Sequence, residues 1–149
     1  MGSGTDLIEV IDAGIIDANI LLRFIIDDQS AQVDAVERLM DRVSRGVVRG
    51  TLLPTVFLEI VFVLERQYGE SRERIGTALH EILMMDGFVI VDRKQLIDAT
   101  LEYRRRSSIS FADAYHCAMA RDFHEGVIVS FDRKLGGVPG VQRREPDEI

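Results

Sequence analysis

Four acidic residues of this 149-residue chain stand where carboxylates could bind a metal ion. Asp17 and Asp132 each follow an apolar run typical of a strand, and Asp113 lies in the first turn of a predicted helix. Glu59 is the only charged residue in the run 52–64. Clustered carboxylates repel one another, and a hard cation such as Mg²⁺ or Mn²⁺ relieves that repulsion. Such a site would support phosphodiester hydrolysis by metal-activated water.

Each of these residues also has a simpler structural interpretation. Asp17 is suited to cap the helix that follows it, and Asp132 is suited to cap a short turn. Ser110 and Asp113 have the spacing of a capping box. Glu59 is harder to explain, because a lone carboxylate on an apolar helix costs desolvation energy unless something compensates it. The joint placement of the four residues, more than any one of them, favours a functional site.

The charge balance limits the classes of function. The chain has 18 basic and 25 acidic residues, a net charge of −7 and a pI near 4.9. This excess of acid argues against a protein that coats nucleic acid through many phosphate contacts. It leaves a metal-dependent nuclease open, because clustered carboxylates contribute to the negative charge. With 46% apolar and 29% charged residues, the composition is typical of a globular protein.

The only cysteine, Cys117, excludes an internal disulfide framework and a cysteine-rich zinc site, and a buried structural role is expected for it. The three histidines have no spacing typical of a zinc motif. The longest apolar run, 60–64, is far shorter than the roughly 20 residues of a membrane span. We therefore expect a protein of the cytoplasm with no membrane partner.

Short β-branched runs alternate with longer stretches of helical period, which predicts an α/β domain with a largely parallel sheet. The binding crevice of such a sheet lies beyond the carboxyl ends of its strands. Strands are predicted at 11–17, 47–53, 88–91, 127–130 and, at a sheet edge, 141–143. Helices are predicted at 18–26, 55–66, 71–85, 94–106 and 110–124, with one more that Ser30 caps and Gly46 ends.

Two of the helices carry specific packing predictions. The helix 55–66 is apolar almost all round, which predicts burial on two sides and is common at oligomer interfaces. The short helix 18–26 is predicted to bury Ile20, Leu21, Phe24 and Ile25.

Four short segments, in this order and spacing, resemble the PIN-domain ribonucleases. Segments 16–23, 53–59, 110–116 and 129–132 read IDANILLR, LPTVFLE, SFADAYH and VSFD. Within that family the chain is most similar to the VapC-type toxins of prokaryotic toxin–antitoxin pairs, from about residue 15 to residue 143. The resemblance implies one three-layer α/β/α domain over 1–149, with a central, mostly parallel sheet of four or five strands. Residues 1–10 are either an N-terminal extension or a remnant of cloning.

The resemblance also implies an activity. It is that of a Mg²⁺- or Mn²⁺-dependent endoribonuclease that cuts unpaired regions of RNA, such as tRNA or rRNA, and leaves a 5′-phosphate and a 3′-hydroxyl. In the family pattern Asp17 and Asp113 would be the most direct metal ligands. Glu59 and Asp132 would complete the acidic site through water or a second ion.

Two polar residues are implied to support the carboxylates. Asn19 matches the position that orients the first aspartate, and Ser130 matches a hydroxyl position that is more often Thr in the family. Near the N-terminus the tripeptide Ile-Asp-Ala occurs twice, at 11–13, where Gly14 follows it, and at 16–18, where Asn19 follows it. The second copy is preferred as the first motif, because Asn19 and a helical apolar pattern follow it.

Contacts with RNA are less visible in the sequence than the acidic site is. The densest basic cluster is at the end of a predicted helix, where the helix dipole alone would favour it. Further basic residues lie near the carboxyl ends of the strands. The candidate RNA contacts are Arg23, Arg104, Arg105, Arg106, Arg133 and Lys134.

A toxin of this kind would pair with a small antitoxin, whose C-terminal segment fills the acidic crevice or an adjacent apolar groove, and would form a homodimer. Three alternatives remain open. One is a housekeeping RNA-processing enzyme on the same fold, and another is a binding module without catalysis. A third, a phosphatase or receiver-like domain, would use Asp132 and Lys134 and would leave Glu59 without a role.

Overall fold

The structure, a computed structural model, describes residues 9–27 and 31–149. Its contacts group the chain into two compact units. The first comprises Met1–Val56 and Met85–Val91, and the second comprises Phe57–Met84 and Asp92–Ile149. Ser30, the predicted cap of the second helix, lies outside the described residues. The assignment of one domain to 1–149 stays a prediction.

The first unit is built on three parallel strands, in the order β1 (Ile11–Ile15), β2 (Val48–Leu52) and β3 (Phe88–Ile90). Parallel neighbours need a crossover connection, and two helices supply it between β1 and β2. These are α1 (Ala18–Ile25) and α2 (Ala31–Ser44).

Burial in α1 corrects the sequence prediction, whereas α2 confirms it. The buried residues of α1 are Ala18, Leu21 and Leu22, and Phe24 is exposed. The predicted stripe of Ile20, Leu21, Phe24 and Ile25 is therefore confirmed at Leu21, wrong at Phe24, and only half-buried at Ile20 and Ile25. The apolar residues of this helix lie on several sides. In α2 the buried stripe has the predicted spacing of three and four residues, at Val33, Val36, Met40 and Val43.

The third helix, α3 (Pro54–Arg66), begins where Pro54 occupies the first helical position, which needs no N–H donor. Its buried residues form one stripe, at Val56, Phe57, Ile60, Val61 and Leu64. Phe62 is 59% exposed. The prediction of burial on two sides is therefore wrong for the single chain, because a helix apolar all round still buries only the face its own chain covers.

The second unit continues with three helices: α4 (Arg72–Leu83), α5 (Arg93–Arg105) and α6 (Phe111–Phe123). Helix α5 packs against both α4 and α6. The rings of Tyr103 and Phe111, both buried, meet edge to face with centroids 5.8 Å apart. After α6 come β4 (Val127–Val129), a 3₁₀ helix (Arg133–Gly137) and β5 (Gln142–Arg144), and the two strands pair in parallel.

Arg72 joins the start of α4 to the end of α5. Its guanidinium donates to the carbonyl oxygens of Tyr103 at 2.9 Å and of Arg106 at 3.0 Å, where a helix end leaves carbonyls without partners. It also lies 4.3 Å from the centre of the Tyr103 ring, a cation–π contact. The Tyr103 hydroxyl donates to Glu65. Burial, and then this bond, raise the pKa of Tyr103 above its ordinary value.

A second polar contact joins α5 to α6. Asp122 accepts hydrogen bonds from Lys94 at 2.8 Å and from Gln95 at 2.7 Å. The bond to Lys94, followed by that to Gln95, lowers the pKa of Asp122 below 3.8. The pKa of Lys94 is raised above 10.5, first by Asp122 and then by Asp98.

These shifts predict how stability depends on pH. Because the pKa of Asp122 is lowered, its carboxylate stabilises the fold above pH 3.8. This contribution is lost as the pH falls through the folded-state pKa. Because the pKa of Lys94 is raised, its ammonium group stabilises the fold below pH 10.5. This contribution is lost as the pH rises through the folded-state pKa. We expect Asp122→Asn to lower the thermal midpoint by about a few degrees between these limits, and not by more, because the pair lies at the surface. The difference from wild type should shrink in more acidic solution.

Thermal unfolding followed by circular dichroism at several pH values checks this expectation. Asp98→Asn is the matched control, because it removes the other carboxylate bound to Lys94 and leaves Asp122 in place. It should have the smaller effect. Equal midpoints for wild type and Asp122→Asn at pH 7 would contradict the argument.

The structure confirms an α/β fold with parallel strands. The expectation of one sheet with four or five strands differs from what is found, because the five strands in the described residues pair as three and two. Apolar runs locate strands, but they carry little information on which strands pair. In residues 9–27 and 31–149, no helix is both long enough and apolar enough to cross a membrane.

Candidate active site

Asp17 lies two residues after β1 and is the N-cap of α1, with an extended backbone (φ −76°, ψ 152°). Its carbonyl oxygen accepts the N–H of Ile20, as the first turn requires. The side chain makes no capping hydrogen bond and is exposed. The prediction that the Asp17 side chain caps α1 is therefore wrong.

Asp12, the alternative first aspartate, has a local structural role. Its Oδ1 accepts the N–H of Gly14 at 2.8 Å, where the register of β1 with β2 shifts. Gly14 has a positive φ of 78°. The carboxylate of Asp12 therefore stabilises an irregular strand, whereas that of Asp17 lies beyond the strand's end.

Glu59 lies in α3 and is exposed. The apolar neighbours of this carboxylate along the chain predict that it is desolvated. That premise is wrong, since Glu59 falls outside the buried stripe of α3. Its position therefore costs little desolvation and does not by itself indicate a site.

Asp113 is the third residue of α6, and Ser110 is the cap of that helix. The Ser110 hydroxyl accepts the backbone N–H of Asp113 at 3.1 Å, so the first half of the predicted capping box forms. The Asp113 carboxylate is not needed for this bond and is partly exposed. Its negative charge in the first turn is favourable by roughly 0.3–1 kcal/mol, because it opposes the helix dipole.

Asp132 caps the 3₁₀ helix that follows β4, as the simpler interpretation predicted. Its Oδ1 accepts the N–H of Lys134 at 3.0 Å, and its own N–H donates to the Ser130 hydroxyl at 3.0 Å. Ser130 therefore holds the backbone of Asp132. Asn19 is exposed, and its side chain makes no hydrogen bond to Asp17 in the described part of the chain.

One acidic residue near Asp113 was missed by the sequence reasoning. Tyr115, two residues after Asp113, donates its hydroxyl proton to Asp92 at 2.6 Å. Burial, and then Asp92, raise the pKa of Tyr115 to about 12. Asp92 stands directly after a strand-like run, as Asp17 and Asp132 do, and that pattern could have identified it.

The chemistry of the four predicted carboxylates fits a hard divalent ion, because all their donors are oxygen atoms. None of the four enters an ion pair within residues 9–27 and 31–149. Asp17 belongs to the first unit, and the other three belong to the second. Among the described residues, no three His, Cys, Asp or Glu side chains form a group that could hold a metal ion.

The three arginines of the predicted basic cluster make different contacts. Arg104 lies 4.0 Å from Glu73, and Arg106 donates to Glu102 at 2.9 Å. Arg105 lines an open cleft of about 650 Å³. The other residues of that cleft are Glu102, Arg106, Arg121, Pro139 and Gly140.

The remaining basic candidates lie elsewhere. Arg23 lines a groove of about 640 Å³ along α1 and α2, together with Asn19 and Leu39. Arg133 and Lys134 are exposed in the 3₁₀ helix after Asp132.

Cys117 is fully buried, which confirms the structural role predicted for it. Burial is the main cause that raises the pKa of its thiol. A thiol whose ionisation is disfavoured in this way is a poor nucleophile.

Residues 14–141 match the PIN domain family. No match was found among curated proteins or among solved structures. Because the matched range covers most of the chain, the chain belongs to the PIN domain family, and the predicted family and fold class are confirmed. PIN domains are generally metal-dependent nucleases. The matched range contains all four predicted carboxylates and begins after Asp12.

Proposed function

We propose that this protein is a Mg²⁺- or Mn²⁺-dependent endoribonuclease whose metal ligands are Asp17, Glu59, Asp113 and Asp132. The supporting observation is that these four carboxylates lie within the family match and are partly or fully exposed. They also stay outside every ion pair of the described residues, in a chain with 18 basic side chains. A carboxylate that no positively charged side chain neutralises is available to a cation.

Each side chain has a separate task in this proposal. Asp17 and Asp113 bind the ion directly, and Glu59 and Asp132 act through water or a second ion. When bound, the ion supplies an activated water and neutralises charge that develops on the leaving oxygen. Ser130 holds the backbone of Asp132, and the N–H of Lys134 donates to the Asp132 carboxylate.

Purified protein should cut unpaired regions of tRNA or rRNA when Mg²⁺ or Mn²⁺ is present, and should stop when EDTA is added. The fragments should carry a 5′-phosphate and a 3′-hydroxyl, which end-labelling identifies. Excess Mg²⁺ added after EDTA should restore cutting. Cleavage that persists in EDTA would overturn the proposal, and so would intact RNA in both metals with protein shown to be folded.

The biological role we propose is that of a toxin, paired with an antitoxin and active as a homodimer in the cytoplasm. The exposed Phe62 on α3, with Arg66 5.9 Å from its ring, supports a contact between copies. The groove of α1 and α2 supports an antitoxin contact, because Ile20 and Leu39 give it an apolar lining.

Induced expression in a bacterial host tests this role. Growth should stop with the wild-type chain and continue with Asp113→Asn, at equal protein levels. Unimpaired growth with an active, soluble wild-type enzyme would instead favour a housekeeping RNA-processing role.

A further inference from the structure

Phe131 is an aromatic residue that the second unit leaves in solvent. Its side chain is 74% exposed, and among the large apolar side chains of the described residues only the C-terminal Ile149 is more exposed. It lies between Ser130 and Asp132, two residues after the end of β4. An aromatic ring held out in this way is costly to hydrate and offers a free face for stacking.

Hydrogen bonds hold the backbone on both sides of Phe131. The N–H of Ser130 donates to the carbonyl oxygen of Arg144 at 2.9 Å, and the Arg143 guanidinium donates to the carbonyl oxygen of Ser130 at 2.8 Å. The N–H of Asp132 is bound by the Ser130 hydroxyl. The ring is therefore carried by a constrained segment, so that a ligand stacked on it would lose little further loop entropy.

Three basic residues lie close to Phe131 in the chain or on the paired strand. Arg133 and Lys134 follow it in the chain, and Arg144 is bonded to Ser130 through its carbonyl oxygen. All three are exposed, and none enters an ion pair in the part of the chain that the structure describes. By contrast, Arg143 lies 3.2 Å from Glu145. Arg133 and Lys134 therefore lie within three residues of Phe131 in the chain, and Arg144 lies on the strand that pairs with β4.

We propose that Phe131, Arg133, Lys134 and Arg144 form a binding surface for an unpaired nucleotide of the RNA substrate. This inference rests on the proposed ribonuclease function and adds the residues that hold an unpaired nucleotide of the substrate. A free ring combined with neighbouring cations is the arrangement by which proteins hold single-stranded nucleic acid: the base stacks, and the phosphates meet the charges. An apolar protein partner would not use three unpaired cations, because charged residues are depleted at the centre of such interfaces.

The surface is tested by binding, separately from cleavage. A fluorescently labelled single-stranded oligoribonucleotide is titrated with protein in EDTA, and anisotropy is recorded. Phe131→Ala is expected to weaken binding by about 5- to 150-fold, the range found for loss of one stacked base. Phe131→Leu should be equally weak, because it is apolar but has no ring, and Phe131→Trp should restore binding.

Phe123→Ala is the matched control. Phe123 is 60% exposed at the end of α6 and has no part in the proposed surface, so its loss should leave binding unchanged. Lys134→Gln should weaken binding in low salt and reduce the dependence of log K on log salt by about 0.7. Circular dichroism of each variant shows that it is folded.

Three results would overturn the proposal. One is equal binding by wild type and Phe131→Ala, and another is equal affinity for a duplex of the same sequence. The third is a Phe131→Ala variant that changes self-association alone, which would assign the ring to a protein contact. Failure of the ribonuclease function appears differently, as intact RNA in Mg²⁺ with oligonucleotide binding still dependent on Phe131.

Discussion

Asp113→Asn is expected to reduce metal-dependent RNA cleavage by about 100-fold or more and to leave the fold intact. A metal ion contributes several kilocalories per mole to the transition state, and each 1.36 kcal/mol corresponds to about tenfold in rate. Asparagine keeps the shape of aspartate but removes the charge that binds the ion. Helix α6 keeps its cap, because Ser110 binds the backbone N–H of residue 113 and not its side chain.

Initial cleavage rates at saturating Mg²⁺, together with a thermal melt, measure both parts of this expectation. Asp86→Asn is the matched control, because Asp86 is exposed and lies outside the proposed site. It makes the same change of charge and should keep wild-type activity. If Asp113→Asn cleaves as fast as Asp86→Asn, residue 113 is not a metal ligand.

The second large effect is expected on stability, from Gly126→Ala. Gly126 has a φ of 82°, which costs an alanine about 1–2 kcal/mol. A Cβ at this position would also collide with the carbonyl oxygen of Gly140. The backbone cannot easily move away, because its N–H donates to Ala120 and its carbonyl oxygen accepts from Gln142, both at 2.8 Å. With a further 1–3 kcal/mol for overpacking, the total loss is about 2–5 kcal/mol.

Urea unfolding measures this loss, and Gly69→Ala separates its two causes. Gly69 has a similar φ of 60°, but nothing lies within 4 Å of the position its Cβ would take. This variant should lose only the backbone contribution of about 1–2 kcal/mol. Equal losses for the two variants would show that the contact with Gly140 does not contribute.

The elements that sequence reasoning located best are those with one clear signal. Helix α2 repeats its apolar residues at steps of three and four, and Pro54 marks the start of α3, so both were predictable. Helix α1 has only eight residues and apolar side chains on several sides, so its period does not identify the buried face. Strand pairing depends on contacts between distant segments, and the period of a single run does not report it.

The candidate site was predictable in its residue types but not in its surroundings. Aspartates after strands and in first turns can be found from position alone, as Asp17 and Asp113 were. Whether a side chain is exposed depends on which face of its helix is covered, and for that reason the argument from Glu59 failed. The exposure of Phe131 was equally invisible, because an aromatic next to an apolar strand is normally expected in the core.

The contact of Arg72 with the end of α5 has a consequence for the protein during synthesis. Its acceptors lie 31 and 34 residues further along the chain, at Tyr103 and Arg106. A ribosome that adds about 5–20 residues per second needs about 2–7 s to make that stretch. Helix α4 therefore leaves the ribosome several seconds before the residues that secure it, and a nascent chain stalled in this interval should expose α4 to proteases and chaperones.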